Sequence, residues 1–115
     1  MINSFSNNEA ENFGGALYIN NSNVHKISQN IFHYNEALQG GSIYFDNTEI
    51  EFFKNTVYSN LSVSTGGGLA SGGGNNQVYN NIFWANTITV SPGKSIFARP
   101  QDLFATWSGH ARRWE

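Results

Sequence analysis

His33, Tyr58 and Trp84 stand 25 and 26 residues apart (58 − 33, 84 − 58), each directly after an apolar residue, Phe32, Val57 or Phe83. Rings repeated at one spacing can stack on sugar rings or bury against a protein. They can equally stabilise neighbouring strands, at about 0.2–1 kcal/mol per pair. Tyr18 and Tyr44, with Phe97 further along, form a second aromatic row at similar spacing. These five residues, His33, Tyr58, Trp84, Tyr18 and Tyr44, are the expected ligand-binding positions, with carbohydrate or a cell-surface protein as the expected partner.

Hydrolysis or elimination on a polysaccharide would need other groups. Paired carboxylates, or an acidic cation site beside a basic residue, have to converge in a groove. Asp46 is the sole aspartate between residues 3 and 98, accompanied by Glu9, Glu11, Glu36, Glu49 and Glu51. Glu9 and Glu36 occupy one repeat position, as do His25 and Glu51, and both pairs read as solvated surface charges of little energetic weight. No Ser-His-Asp set and no carboxylate with a Lys or Arg base emerges. No catalytic residue, metal site or cofactor is therefore expected.

Composition narrows the field further. The formal net charge is −2, and Lys26, Lys54 and Lys94 are scattered, so nucleic acid is not an expected partner. The absence of Cys removes disulfides and thiolate chemistry. No apolar run approaches the ~20 residues that cross a bilayer, so direct membrane insertion is not expected. Met1-Ile2-Asn3-Ser4-Phe5 carries neither a basic patch nor an apolar run, so it does not read as a signal peptide. Charged residues are only 12% of the chain, yet nine Phe, five Tyr and three Trp supply material for a core.

What must position the rings is a repeat. Asn3-Ser4-Phe5-Ser6-Asn7-Asn8 returns as Asn30 to Asn35, Asn55 to Asn60 and Asn81 to Asn86, at separations of 27, 25 and 26 residues (30 − 3, 55 − 30, 81 − 55). Gly14-Gly15-Ala16-Leu17, Gly40-Gly41-Ser42-Ile43 and Gly66-Gly67-Gly68-Leu69 keep step with it. Two unlike motifs sharing a period mark a solenoid. Apolar residues alternate in short runs broken by Gly-Gly and Asn, which indicates short strands and turns.

Three strands and their turns account for a unit of this length, giving a right-handed parallel β-helix of about three and a half coils, each ~4.8 Å above the last. Phe5, Phe32, Val57 and Phe83 then form one inward ladder. Ile27, Phe52 and Val78 form a second, and Leu17, Ile43 and Leu69 a third. Asn3, Asn30, Asn55 and Asn81, and again Asn8, Asn35, Asn60 and Asn86, form structural amide ladders at turns. The Gly-Gly sites read as sharp turns or close approaches of backbone. Gly93 to Ala98 resembles a fourth Gly-plus-strand element, with Ile96 falling 27 residues after Leu69 (96 − 69). The β-helix thus spans residues 1–98, and residues 99–115 form an irregular or short helical tail, either a partial cap or a segment of different origin. An uncapped coil would offer its strand edges for end-to-end stacking with further coils or another chain.

The pairing of F-x-x-N (Phe5 to Asn8, Phe32 to Asn35) with G-G-A-[I/L/V] (Gly14 to Leu17, Gly40 to Ile43) resembles the repeats of chlamydial polymorphic outer membrane proteins and related β-helical surface proteins. The likeness covers roughly residues 3 to 98. Val57 departs from it in place of Phe, and Ser42 and Gly68 in place of Ala. The resemblance implies an extracellular or outer-membrane-associated, adhesin-like, non-catalytic module belonging to a longer chain. The alternative is a fragment of a carbohydrate-active β-helix enzyme, a polysaccharide lyase or hydrolase, whose catalytic coils lie elsewhere.

Overall fold

A computed structural model of the chain describes residues 2–89 and the strand 104–106. The first coil contains β1 (Asn3–Ser6), β2 (Leu17–Asn20) and β3 (Asn23–Ser28). The second contains β4 (Asn30–His33), β5 (Glu36–Gln39), β6 (Ile43–Asp46) and β7 (Glu49–Phe53). The third contains β8 (Thr56–Tyr58), β9 (Leu61–Thr65), β10 (Leu69–Ser71) and β11 (Gln77–Tyr79), and a fourth begins with β12 (Ile82–Trp84), β13 (Thr87–Ile88) and β14 (Phe104–Thr106). Every pairing between them is parallel, as stacked coils require.

The coil has four walls, where the strand count expected from the sequence was three. The first wall is β1-β4-β8-β12, the second β5-β9-β13, the third β2-β6-β10-β14 and the fourth β3-β7-β11. The second wall carries no periodic signal: Glu36-Ala37-Leu38-Gln39 and Leu61-Ser62-Val63-Ser64-Thr65 are short and mixed, with no clean apolar alternation. It nevertheless extends to the first coil through backbone bridges from Glu9 to Glu36 and from Phe13 to Gln39.

Each corner between walls is made by a residue with left-handed backbone angles. In the second coil these are Tyr34, Gly40, Asn47 and Lys54. The same corners recur below at Asn7, Gly14, Asn21 and Gln29. The second glycine of each pair answers a different need: a Cβ on Gly41 would lie 2.0 Å from the Gly67 carbonyl oxygen and 2.6 Å from that of Leu61. Backbone from two other segments fills the space a side chain would take.

Inside the walls, equivalent residues lie one above the other. Phe5 pairs with Phe32, Phe32 with Val57 and Val57 with Phe83. The Phe5 and Phe32 rings are stacked with centroids 4.9 Å apart. Ile27, Phe52 and Val78 superpose in the fourth wall, and Leu17, Ile43 and Leu69 in the third. Phe32, Ile43, Phe45, Ile50, Phe52, Val57, Leu69 and Val78 form the buried core cluster. At about 1.5–3 kcal/mol for each such side chain removed from water, shared burial is what a single coil lacks.

The corners next to the first wall are sealed by asparagines. Asn8, Asn35, Asn60 and Asn86 form one amide ladder in which each upper Oδ1 accepts from the residue below. Asn35, Asn60 and Asn86 also donate through Nδ2 to the carbonyls of Phe5, Phe32 and Val57. Asn3, Asn30, Asn55 and Asn81 make the other ladder, joined in the same direction. A third amide, on Asn76, was not evident in the repeat. Its Oδ1 accepts from Thr48 Oγ1 at 2.7 Å and from the Ile50 backbone at 3.0 Å.

The strand above β10 differs from expectation. Leu69 pairs with Phe104 and Ala70 with Ala105. The offset there is 35 residues (104 − 69) against 26 (69 − 43) one coil below. Phe104-Ala105-Thr106 repeats the apolar, small, hydroxyl order of Leu69-Ala70-Ser71, whereas Ile96-Phe97-Ala98 would set Phe97 over Ala70. β14 lies within the segment 99–115 expected as a tail or short helix, and it is a strand of the third wall. The rest of that tail, and the Gly93 to Ala98 element, lie outside the described residues.

Candidate functional site

The first wall gathers the aromatic column. His33 pairs with Tyr58 and Tyr58 with Trp84, one rung apart each time. Their side chains point outward because they follow the inward Phe32, Val57 and Phe83. The His33 and Tyr58 rings are stacked, with centroids 4.9 Å apart and planes within 12°. Tyr58 and Trp84 are tilted at 45° with centroids 6.5 Å apart. Below the column, Ser4 Oγ lies 3.1 Å from His33 Nε2.

Two residues that the sequence reading did not select complete the wall. Tyr34, at the left-handed corner, meets the His33 ring at 62° and the Tyr58 ring at 71°. It is 57% exposed. Ile82 lies two residues before Trp84 on β12, so both leave the strand on the same side. They are 59% and 66% exposed. Tyr34 sits at a corner where strand alternation gives no direction, so only the period marks it; Ile82 is legible as the i−2 neighbour of Trp84.

The wall is also uncharged. None of β1, β4, β8 and β12 contains Asp, Glu, Lys or Arg. Hydroxyls interleave with the rings instead, on Ser4, Ser6, Thr56, Tyr58 and Ser59.

The second aromatic row behaves differently. Tyr18 and Tyr44 do pair on the third wall, with ring centroids 5.8 Å apart. Tyr44 is only 6% exposed, however, because Phe13 from the second wall packs 4.6 Å from its ring and 5.3 Å from that of Tyr18. Tyr44 is thus a packed residue and not an outward contact, and Phe97 lies outside the described residues.

The fourth wall carries Lys26, Glu49 and Glu51. Lys26 pairs with Glu51 in register, and its Nζ lies 3.8 Å from Glu51 Oε1. His25 lies opposite Ile50 because the strand register shifts between Asn23 and His25. The expected alignment of His25 with Glu51 therefore fails by one residue, a β-bulge that equal spacing cannot reveal. His25 Nε2 instead lies 3.2 Å from Ser22 Oγ. One coil above, the Tyr79 hydroxyl donates to Glu51, and its ring stacks on Phe53 at 5.4 Å. That hydrogen bond, with desolvation and the negative charge of Glu51, raises the Tyr79 pKa. An open depression of about 240 Å³ lies beside these groups, bordered by His25, Lys26, Glu49 and Gln77.

Glu9 and Glu36 meet through a backbone bridge on the second wall, and both are exposed. Among the described residues no cluster of three His, Cys, Asp or Glu is placed to hold a metal ion. No helix among them is long and apolar enough to cross a membrane.

The stacked parallel coils and their two-motif period agree with the family comparison. A family model described as the right-handed β-helix region matches residues 2–101. The chain belongs to that family. Neither the comparison with curated proteins nor that with solved structures finds a match.

Proposed function

We propose that this chain is a non-catalytic scaffold and binding module of a cell-surface or secreted, adhesin-like protein, and that its first wall is the docking surface. The observation that carries this reading is the gathering of Tyr34, Ile82 and Trp84, each more than half exposed, on one uncharged wall. Contiguous exposed apolar surface on a rigid sheet is a usual mark of a contact site. The pairing of F-x-x-N with Gly-Gly, similar to the chlamydial surface repeats, supports the placement at a cell surface.

Rigidity suits such a role. The core ladder behind the wall and the asparagine ladders beside it fix the strand positions, so little conformational freedom is lost on contact. The test is retention of the purified chain on immobilised glycans and on immobilised extracellular-matrix proteins, with an Ile82→Ser/Trp84→Ser double variant as comparison. Retention of the wild type and loss in a folded double variant is expected. Equal retention of the two would remove the first wall from consideration.

A further inference from the structure

We infer that the ligand of the first wall is a neutral glycan, bound face-on to the indole of Trp84. This rests on the reading of that wall as the docking surface. The alternative picture, a sugar chain lying along the whole aromatic column, conflicts with the ring geometry. His33 and Tyr58 stack within 12°, so each covers a face of the other. The His33 Nδ1 edge is itself buried. Tyr34 packs against both rings in T-shaped contacts, at 62° and 71°.

Trp84 differs from both. It is tilted at 45° away from the stack and is 66% exposed, so most of its indole surface meets solvent. Trp presents the largest ring face for the C–H groups of a pyranose, and its N–H can serve a sugar hydroxyl. The Tyr58 hydroxyl, Thr56 and Ser59 lie one rung below as further hydrogen-bonding groups. Charge selects among glycans. With no Lys or Arg on the four strands of the wall, those strands offer no cation to compensate a uronate or sulfate for its lost hydration. A neutral sugar loses nothing of that kind.

The experiment uses an array of neutral hexose oligomers (cello-, laminari- and malto-series) with oligogalacturonate as the acidic counterpart, and a parallel array of extracellular-matrix proteins. Retention on at least one neutral series is expected, with weaker retention on oligogalacturonate. Trp84→Ala should lose about tenfold in affinity, the scale of one aromatic contact. Trp84→Phe should recover part of it. Equal or tighter binding of oligogalacturonate, indifference to Trp84→Ala, or no binding to any neutral series would overturn the inference. If the matrix proteins alone are retained, and retention falls with Trp84→Ala, the wall still docks a partner and only its glycan identity is lost. If neither array responds to changes at Ile82 and Trp84, the wall itself is excluded.

Discussion

Asn60 Oδ1 accepts both the backbone N–H of Asn35, at 2.9 Å, and its side-chain amide, at 3.1 Å. Its own Nδ2 donates upward to Asn86 Oδ1 at 2.9 Å and to the Phe32 carbonyl at 3.1 Å. One buried side chain thus joins successive coils and satisfies two main-chain groups at a corner where the strands cannot. Asn60→Ala leaves those groups unpaired in the interior and should cost about 2–4 kcal/mol. Asn8, exposed at the lowest rung, should cost about 1 kcal/mol or less on the same change. Urea unfolding midpoints measure both, and equal losses would assign the ladder no special weight.

Gly41 and Ala85 should respond in opposite directions. Any Cβ on Gly41 runs into the carbonyls of Gly67 and Leu61, so Gly41→Ala should cost more than about 4 kcal/mol or prevent folding. Ala85 holds a left-handed corner at φ 56°, where its own Cβ is strained. Ala85→Gly should stabilise by about 0.5–1 kcal/mol, strain relief exceeding the entropy glycine adds to the unfolded chain. Thermal unfolding of both variants separates these effects.

Phe32 and Trp84 divide the core from the wall. Phe32 is fully buried in the core ladder, and Phe32→Ala should cost about 3–5 kcal/mol. Trp84→Ala removes an exposed ring and should stay within about 1 kcal/mol of the parent. Guanidinium titrations of the two decide it. A large loss for Trp84 would show that the indole stabilises the fold.

Tyr79 provides a pH readout of the fourth wall. Its raised pKa means the folded chain holds the phenolic proton more tightly than the unfolded chain does. The associated stability is therefore present below pH about 10, the ordinary tyrosine value, and is lost as pH rises through the higher folded value. In ultraviolet titration a tyrosine titrating above the ordinary range should disappear with Tyr79→Phe. With Glu51→Gln it should move down toward the ordinary range.

The repeat made the ladders legible because it preserves residue type at stacked positions: Phe32 over Phe5 and Asn60 over Asn35 need only equal spacing to be found. Features set by local backbone departures were not legible. The bulge near His25 moved Lys26, and not His25, opposite Glu51. The polar second wall hid both a fourth strand per coil and Phe13, whose ring buries Tyr44. The 35-residue offset from Leu69 to Phe104 (104 − 69) lies outside the period that had pointed to Ile96. Of the candidate site, the column His33, Tyr58 and Trp84 followed from alternation, while its division into stacked rings and one open indole depends on tilt angles that spacing does not encode.

In-register stacking of β8 under β12 creates the first wall, and a disulfide across it is the most direct measurement. The chain contains no Cys, so an engineered pair has no competing thiol. Thr56 and Ile82 are direct partners one rung apart, whereas Thr56 and Trp84 are offset by two positions. Thr56→Cys/Ile82→Cys should close into an intramolecular disulfide under mild oxidation, within the short Cα separation such bonds require, while Thr56→Cys/Trp84→Cys should remain reduced. Failure of the first pair to close in folded protein, or readier closure of the second, would contradict the stacking from which the wall and its proposed ligand follow.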